Sequence, residues 1–147
     1  MTKDKEIWVY AEQSDERVAR VTLELLGKAR ELGEKLDARV CSVFVGSDVN
    51  NFTDELASYG SEKIYLIEDA ELKYYQSEAY TANVSNLAGQ YRPEIFLLGS
   101  TDTGRDLAPR IAARLGTGLT AHCVNLEIEV IDDDRRQVHG ARLPRWA

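Results

Sequence analysis

Residues 94–123 read EIFLLGSTDTGRDLAPRIAARLGTGLTAHC. An apolar run, a Gly-rich loop and an amphipathic segment follow one another. That is the strand–loop–helix order from which phosphate cradles are built. Leu107, Ile111 and Leu115 fall on one helix face, and Gly116 is placed to end the helix. The loop Gly99–Asp106 has the spacing G-x-x-x-x-G, but Arg105 and Asp106 stand where a P-loop carries Lys and Ser or Thr. Asp106 would set a carboxylate beside bound phosphates, so a P-loop is excluded.

Two starts are open for this helix. Asp106 can be the N-cap, with Pro109 in the first turn where its missing N–H costs nothing. Otherwise Thr103 is the cap, and the helix starts at Gly104 and kinks at Pro109. In both versions the first N–H groups already have a protein acceptor. A residual anion contact through Ser100, Thr101, Thr103, Gly104, Arg105 and Asp106 is kept as the candidate nucleotide loop. Gly116-Thr117-Gly118-Leu119-Thr120-Ala121 matches G-x-G-x-x-G/A as a string. It follows a helix instead of a strand, so it reads as a helix stop and a turn.

Working outward, Ile7–Tyr10, residues 38–46 (ARVCSVFVG) and residues 63–68 (KIYLIE) are short apolar strands. The second shows no alternation, which marks a strand buried on both faces of a parallel sheet. Residues 17–36 carry Val18, Val21, Leu25, Ala29, Leu32 and Leu36 at helical spacing, and residues 77–91 carry Tyr80, Val84, Leu87 and Tyr91. A short helix over 50–60 closes at Gly60. Residues 124–141 read as a β-hairpin around the acidic run Asp132-Asp133-Asp134. The order β-α-β-α-β-α-β-α and then a hairpin predicts an α/β fold, a three-layer Rossmann-like parallel sheet with a C-terminal β-hairpin.

At 147 residues, with 44% hydrophobic and 29% charged residues, the chain is one ordinary globular domain. A formal charge of −7 disfavours nucleic acid and anionic membrane surfaces. The apolar run near the N-terminus is too short for a signal-peptide core or a membrane span. Cys41 and Cys123 lie in strand-like runs and read as buried thiols, consistent with a reducing cytoplasm. His122 and Cys123 are adjacent, and neighbours on a strand point to opposite faces, so they do not share an ion. The other histidine is His139, and no nucleophile elbow accompanies either one. No catalytic constellation is found, so the chain is not expected to be an enzyme. Arg105, Arg110 and Arg114 share the outer face of the last helix, either as a solvated face or as a docking surface. The paired Tyr74 and Tyr75 precede a helix and suit an interface or the core.

The opening IWVYAEQ (7–13), TLELLGKARELGEKLDA (22–38) and above all the long block 92–123 with TGRDLAPR-x-AARL together resemble the N-terminal domain of the alpha subunit of electron-transfer flavoproteins. The match covers about residues 5–141. It implies an adenine-nucleotide-binding or universal-stress-like fold whose nucleotide cleft is a relic. It implies pairing with a beta subunit that holds AMP or a second flavin. It also implies FAD on a further alpha-subunit domain, in a heterodimer carrying electrons from dehydrogenases to an acceptor. His122 stands where the family more often has Asp. Residues 142–147 (RLPRWA) form a short atypical tail where the family continues towards its flavin domain. The expectation is a scaffold domain over 1–141 with no cofactor of its own, redox-silent alone, and self-associating when its partner is missing. The rival reading is a stand-alone module of universal-stress type, binding AMP or ATP over Ser100–Asp106.

Overall fold

The computed structural model describes residues 5–119, 123–132 and 135–142. Its centre is β1 (Glu6–Ala11), buried along its whole length. A small ribbon of β2 (Gln13–Ser14) and β3 (Arg17–Val18) follows, with Asp15 left-handed at its tip (φ 56°). Then come α1 (Arg20–Leu36), β4 (Arg39–Gly46), a 3-10 turn Val49–Phe52, α2 (Thr53–Ser58) and β5 (Lys63–Glu68). A second 3-10 turn, Ala70–Leu72, leads to α3 (Ser77–Tyr91), β6 (Ile95–Leu97) and α4 (Asp102–Leu115). A separate antiparallel pair, β7 (Cys123–Asp132) and β8 (Arg135–Arg142), completes the order.

The main sheet has the order β5-β4-β1-β6, with all pairs parallel. Alternation along β1 divides the core in two. Ile7, Val9 and Ala11 pack against Leu25, Leu26, Ala29 and Leu32 of α1 and Leu56 of α2. Trp8 and Tyr10 face the other side, with Tyr80 and Val84 of α3 and Leu107 and Ile111 of α4. Helices therefore cover both faces, as the parallel α/β reading predicts. β4 is buried at every position but its first, which is why its sequence shows no alternation.

Several boundaries differ from the sequence reading. α1 begins at Arg20, because residues 13–18 turn back into the ribbon. The helix expected over 50–60 is a 3-10 turn followed by the short α2, with Gly60 past its end at φ 108°. Gly116 does end α4 (φ 66°), but α1 and α3 end on Asp37 and Arg92 in the left-handed conformation, not on glycine. The hairpin strands stand where expected. Thr120 and Ala121 of the Gly-rich string, His122, Asp133 and Asp134, and residues 143–147 of the tail lie outside the described residues, as do the side chains of Cys123 and His139.

Under the lower end of the sheet, Glu6 is buried and accepts hydrogen bonds from Tyr65 Oη (2.6 Å), Trp8 Nε1 (2.9 Å) and Arg39 Nη2 (2.9 Å). Lys63 adds a second cation at 3.9 Å. Burial pushes the Glu6 carboxyl up, but the Tyr65 and Trp8 bonds and the two cations outweigh it and hold it below its ordinary value. One carboxylate thus joins β1, β4 and β5. Cys41 lies beside it, fully buried, and burial pushes its thiol up to about 12. A thiol so placed is inert, in line with the bland reading of the cysteine.

Candidate functional site

The chain passes from β5 through α3 to the far side of β1. The strand order therefore reverses between β1 and β6, the place where open α/β sheets form their ligand crevices. The candidate loop 99–106 lies at this point. Glu12, the first residue past β1, lies across from it.

Thr101 is the N-cap of α4, with extended backbone (φ −90°, ψ 171°), and its Oγ accepts the Gly104 N–H at 3.0 Å. The helix therefore starts at Asp102, and neither Asp106 nor Thr103 caps it. Pro109 lies inside the helix, as in the version with a start near Gly104, and past the first turn in which the Asp106-capped version placed it. The Thr101 hydroxyl in turn donates to the Glu12 carboxylate, 2.9 and 3.0 Å from its two oxygens. The Glu12 main chain is strapped to the start of α1. Its carbonyl accepts the Ala19 N–H (2.7 Å) and its N–H donates to Thr22 Oγ1 (2.8 Å). Burial raises the Glu12 carboxyl above its ordinary value, against the pull of the Thr101 bond.

The loop is closed upon itself. A Cβ on Gly104 would lie 1.8 Å from the Gly99 carbonyl oxygen. One on Gly99 would lie 2.7 Å from Val21 Cγ2 and 3.2 Å from a Glu12 carboxylate oxygen. The glycines thus permit contact of protein with protein, and a carbonyl oxygen points at the first turn of α4. A phosphate cradle needs N–H donors there.

Asp106 faces another partner set. It accepts hydrogen bonds from Ser77 Oγ, Tyr75 Oη (2.6 Å) and Arg110 Nε (3.1 Å). The Ser77, Tyr75 and Arg110 bonds, in that order, hold its carboxyl down at about 2. Asp106 pins the start of α3 to α4. The Tyr75 ring packs edge-on against Tyr80, at 4.9 Å between centroids. Tyr74, its neighbour, is 73% exposed. Ser100 receives only a 3.5 Å contact from Arg105 Nε. Thr103 borders the cleft described next. The six residues of the candidate loop are thus divided: Thr101 and Gly104 close it, Asp106 turns away into a clamp, and Ser100, Thr103 and Arg105 remain on its rim.

The cleft above β1 and β4 has a volume of about 680 Å³. Aromatic rings of Tyr10, Phe44, Phe52 and Tyr80 form part of its wall, and its charged groups are Glu12, Asp15, Glu16, Asp48 and Lys73. Four carboxylates against one ammonium make it a poor place for a polyphosphate. Among the described residues no His, Cys, Asp and Glu cluster suits a metal ion, and no helix is long and apolar enough to cross a membrane. Sequence reasoning missed Glu12. The available signal was its position, one residue past the first strand of a sheet whose order reverses there.

These features define a doubly wound α/β domain in which the loop 99–104 is closed by Thr101 and Glu12. Residues 7–140 match the family described as "Electron transfer flavoprotein domain". The chain is 43% identical over 129 residues to electron transfer flavoprotein subunit alpha of Thermoanaerobacterium thermosaccharolyticum, covering 88% of this chain and 39% of that one. It is 38% identical over 138 residues to the subunit alpha of Megasphaera elsdenii (94% and 40%). It is also 38% identical over 123 residues to the LctC subunit of lactate dehydrogenase (NAD(+),ferredoxin) of Acetobacterium woodii (84% and 29%). The chain belongs to the electron transfer flavoprotein family, on the alpha-subunit side, and spans two fifths or less of the length of these relatives.

Proposed function

We propose that this domain is a scaffold of an electron-transfer flavoprotein. It pairs with a beta-type subunit in a complex that passes electrons from dehydrogenases to an acceptor. The observation that carries this reading is the match of residues 7–140 to the electron transfer flavoprotein domain, together with 43% identity over 129 residues to an alpha subunit. The geometry of the cleft supports a recognition role. Its loop is closed by Glu12 and Thr101, and its rim is acidic. The polar side chains of the loop hold elements together and form no nucleophile–base pair, so we assign the domain no catalysis of its own.

FAD belongs, on this reading, to the assembled complex and not to this domain, and AMP or a second flavin to the beta partner. The buried, inert Cys41 suits a reducing compartment, and we assign the protein to the cytoplasm. Arg105, Arg110 and Arg114 are all exposed on α4 of an acidic chain, Arg110 beside Asp106, and Arg110 and Arg114 lie on one side of the helix where a partner could meet them. The purified chain incubated with FAD and desalted is expected to be colourless, with no reversible absorbance change under anaerobic dithionite. Stoichiometric flavin that bleaches and recovers would remove the scaffold reading.

A further inference from the structure

We propose that Glu12 is an internal ligand of the loop 99–104, holding it closed on the first turn of α4 and occupying the position a nucleotide phosphate takes in domains of this architecture. The inference rests on the scaffold reading and names the residue that keeps the cleft silent.

The geometry is a relay. The Gly104 N–H donates to Thr101 Oγ, and the Thr101 hydroxyl donates to the Glu12 carboxylate. A phosphate at a helix N-terminus would take such donors directly. Here an anion of the protein takes them through one hydroxyl. Glu12 cannot drift from this place, because its main chain is bonded to Ala19 and Thr22 at the start of α1. Gly99 has no side chain, and a Cβ there would press on both Val21 and the Glu12 carboxylate. The loop thus has room for Glu12 and for little else. The exclusion is steric as well as electrostatic. A neutral side chain of the same shape fills the same volume and can still accept the Thr101 hydrogen bond.

Glu12→Ala and Glu12→Gln therefore separate occupancy from charge. The test is made on the full chain by NMR. It follows exchange of the Gly104 and Arg105 amides, and shift changes over residues 100–105 on titration with millimolar AMP. Protection of the buried amides of Trp8 and Val43 reports that each variant is folded. In Glu12→Ala, exchange at Gly104 and Arg105 should rise by about tenfold or more as the loop opens locally. AMP should then shift the loop amides. The wild type and Glu12→Gln should show neither change. An AMP response of the wild-type loop overturns Glu12 as the occupant, and so does a Glu12→Ala protein that lacks either change. Pairing with a beta-type subunit is measured separately, so a chain that pairs but fails here loses only this assignment.

Discussion

Glu12 and Asp106 are both carboxylates beside hydroxyl groups, and their surroundings drive them in opposite directions. Burial raises Glu12, so its ionised form is disfavoured in the folded state. Whatever stability it supplies is present at low pH and is lost as pH rises through its folded value. Glu12→Gln should therefore raise Tm at pH 7, and the gain should vanish below the ordinary glutamate value of about 4. Asp106 is depressed to about 2 by Ser77, Tyr75 and Arg110. Its contribution is present above the ordinary aspartate value and is lost as pH falls from about 4 towards 2. Asp106→Asn should lower Tm at pH 7, and the difference from the wild type should shrink as pH falls from about 4 through about 2, in melts recorded across that range. Asp106 stands out in the sequence as an N-cap candidate, but Thr101 is the cap; the i, i+4 spacing of Asp106 to Arg110 does give an ion pair, at 3.1 Å. Tyr75 and Ser77 are 31 and 29 residues away, and no local pattern points to them. Glu12 has the same difficulty, since its partner Thr101 is 89 residues distant.

At the scale of elements, α4 decides the site. Its start depends on one cap, and Thr101→Val should cost about 1 kcal/mol in urea denaturation, while Thr101→Ser should cost little. Gly104→Ala has nowhere to put its methyl group, which would lie 1.8 Å from a main-chain oxygen. It should cost more than about 3 kcal/mol, beyond ordinary overpacking. Gly118→Ala meets nothing within 4 Å and should stay within about 0.5 kcal/mol of the wild type. The long elements were legible from their apolar spacing. Leu25, Ala29 and Leu32 of α1 are buried, as are Tyr80 and Val84 of α3, and Leu107 and Ile111 of α4. Tyr91, expected on the α3 stripe, is 46% exposed at the helix end. The β2–β3 ribbon was not legible, because strands of two residues have no period to read. Of the two starts the sequence left open, the Asp106 cap fails because it needs Pro109 in the first turn, and the Thr103 cap falls two residues past the true cap, Thr101. Helix α4 instead holds the proline in its interior, where its missing donor deprives one carbonyl of its partner.

The molecule as a whole is a parallel sheet wrapped on both faces, with the order β5-β4-β1-β6 reversing between β1 and β6. Alternating strands and helices in the sequence were enough to expect this architecture. Whether the cleft takes a nucleotide is beyond local pattern, because it depends on side chains distant in sequence, Glu12 past β1 and Val21 on α1, that lie against the loop. On the proposed reading, the closed loop and the acidic rim leave the domain's surfaces to carry its role. The most direct measurement is co-expression of the tagged chain with the beta-type subunit of an electron transfer flavoprotein. The affinity-purified material is then examined by size-exclusion chromatography with light scattering. A stable one-to-one complex is the predicted result. A chain that elutes without the beta-type subunit, while that subunit still assembles with a full-length alpha subunit, would contradict the scaffold account.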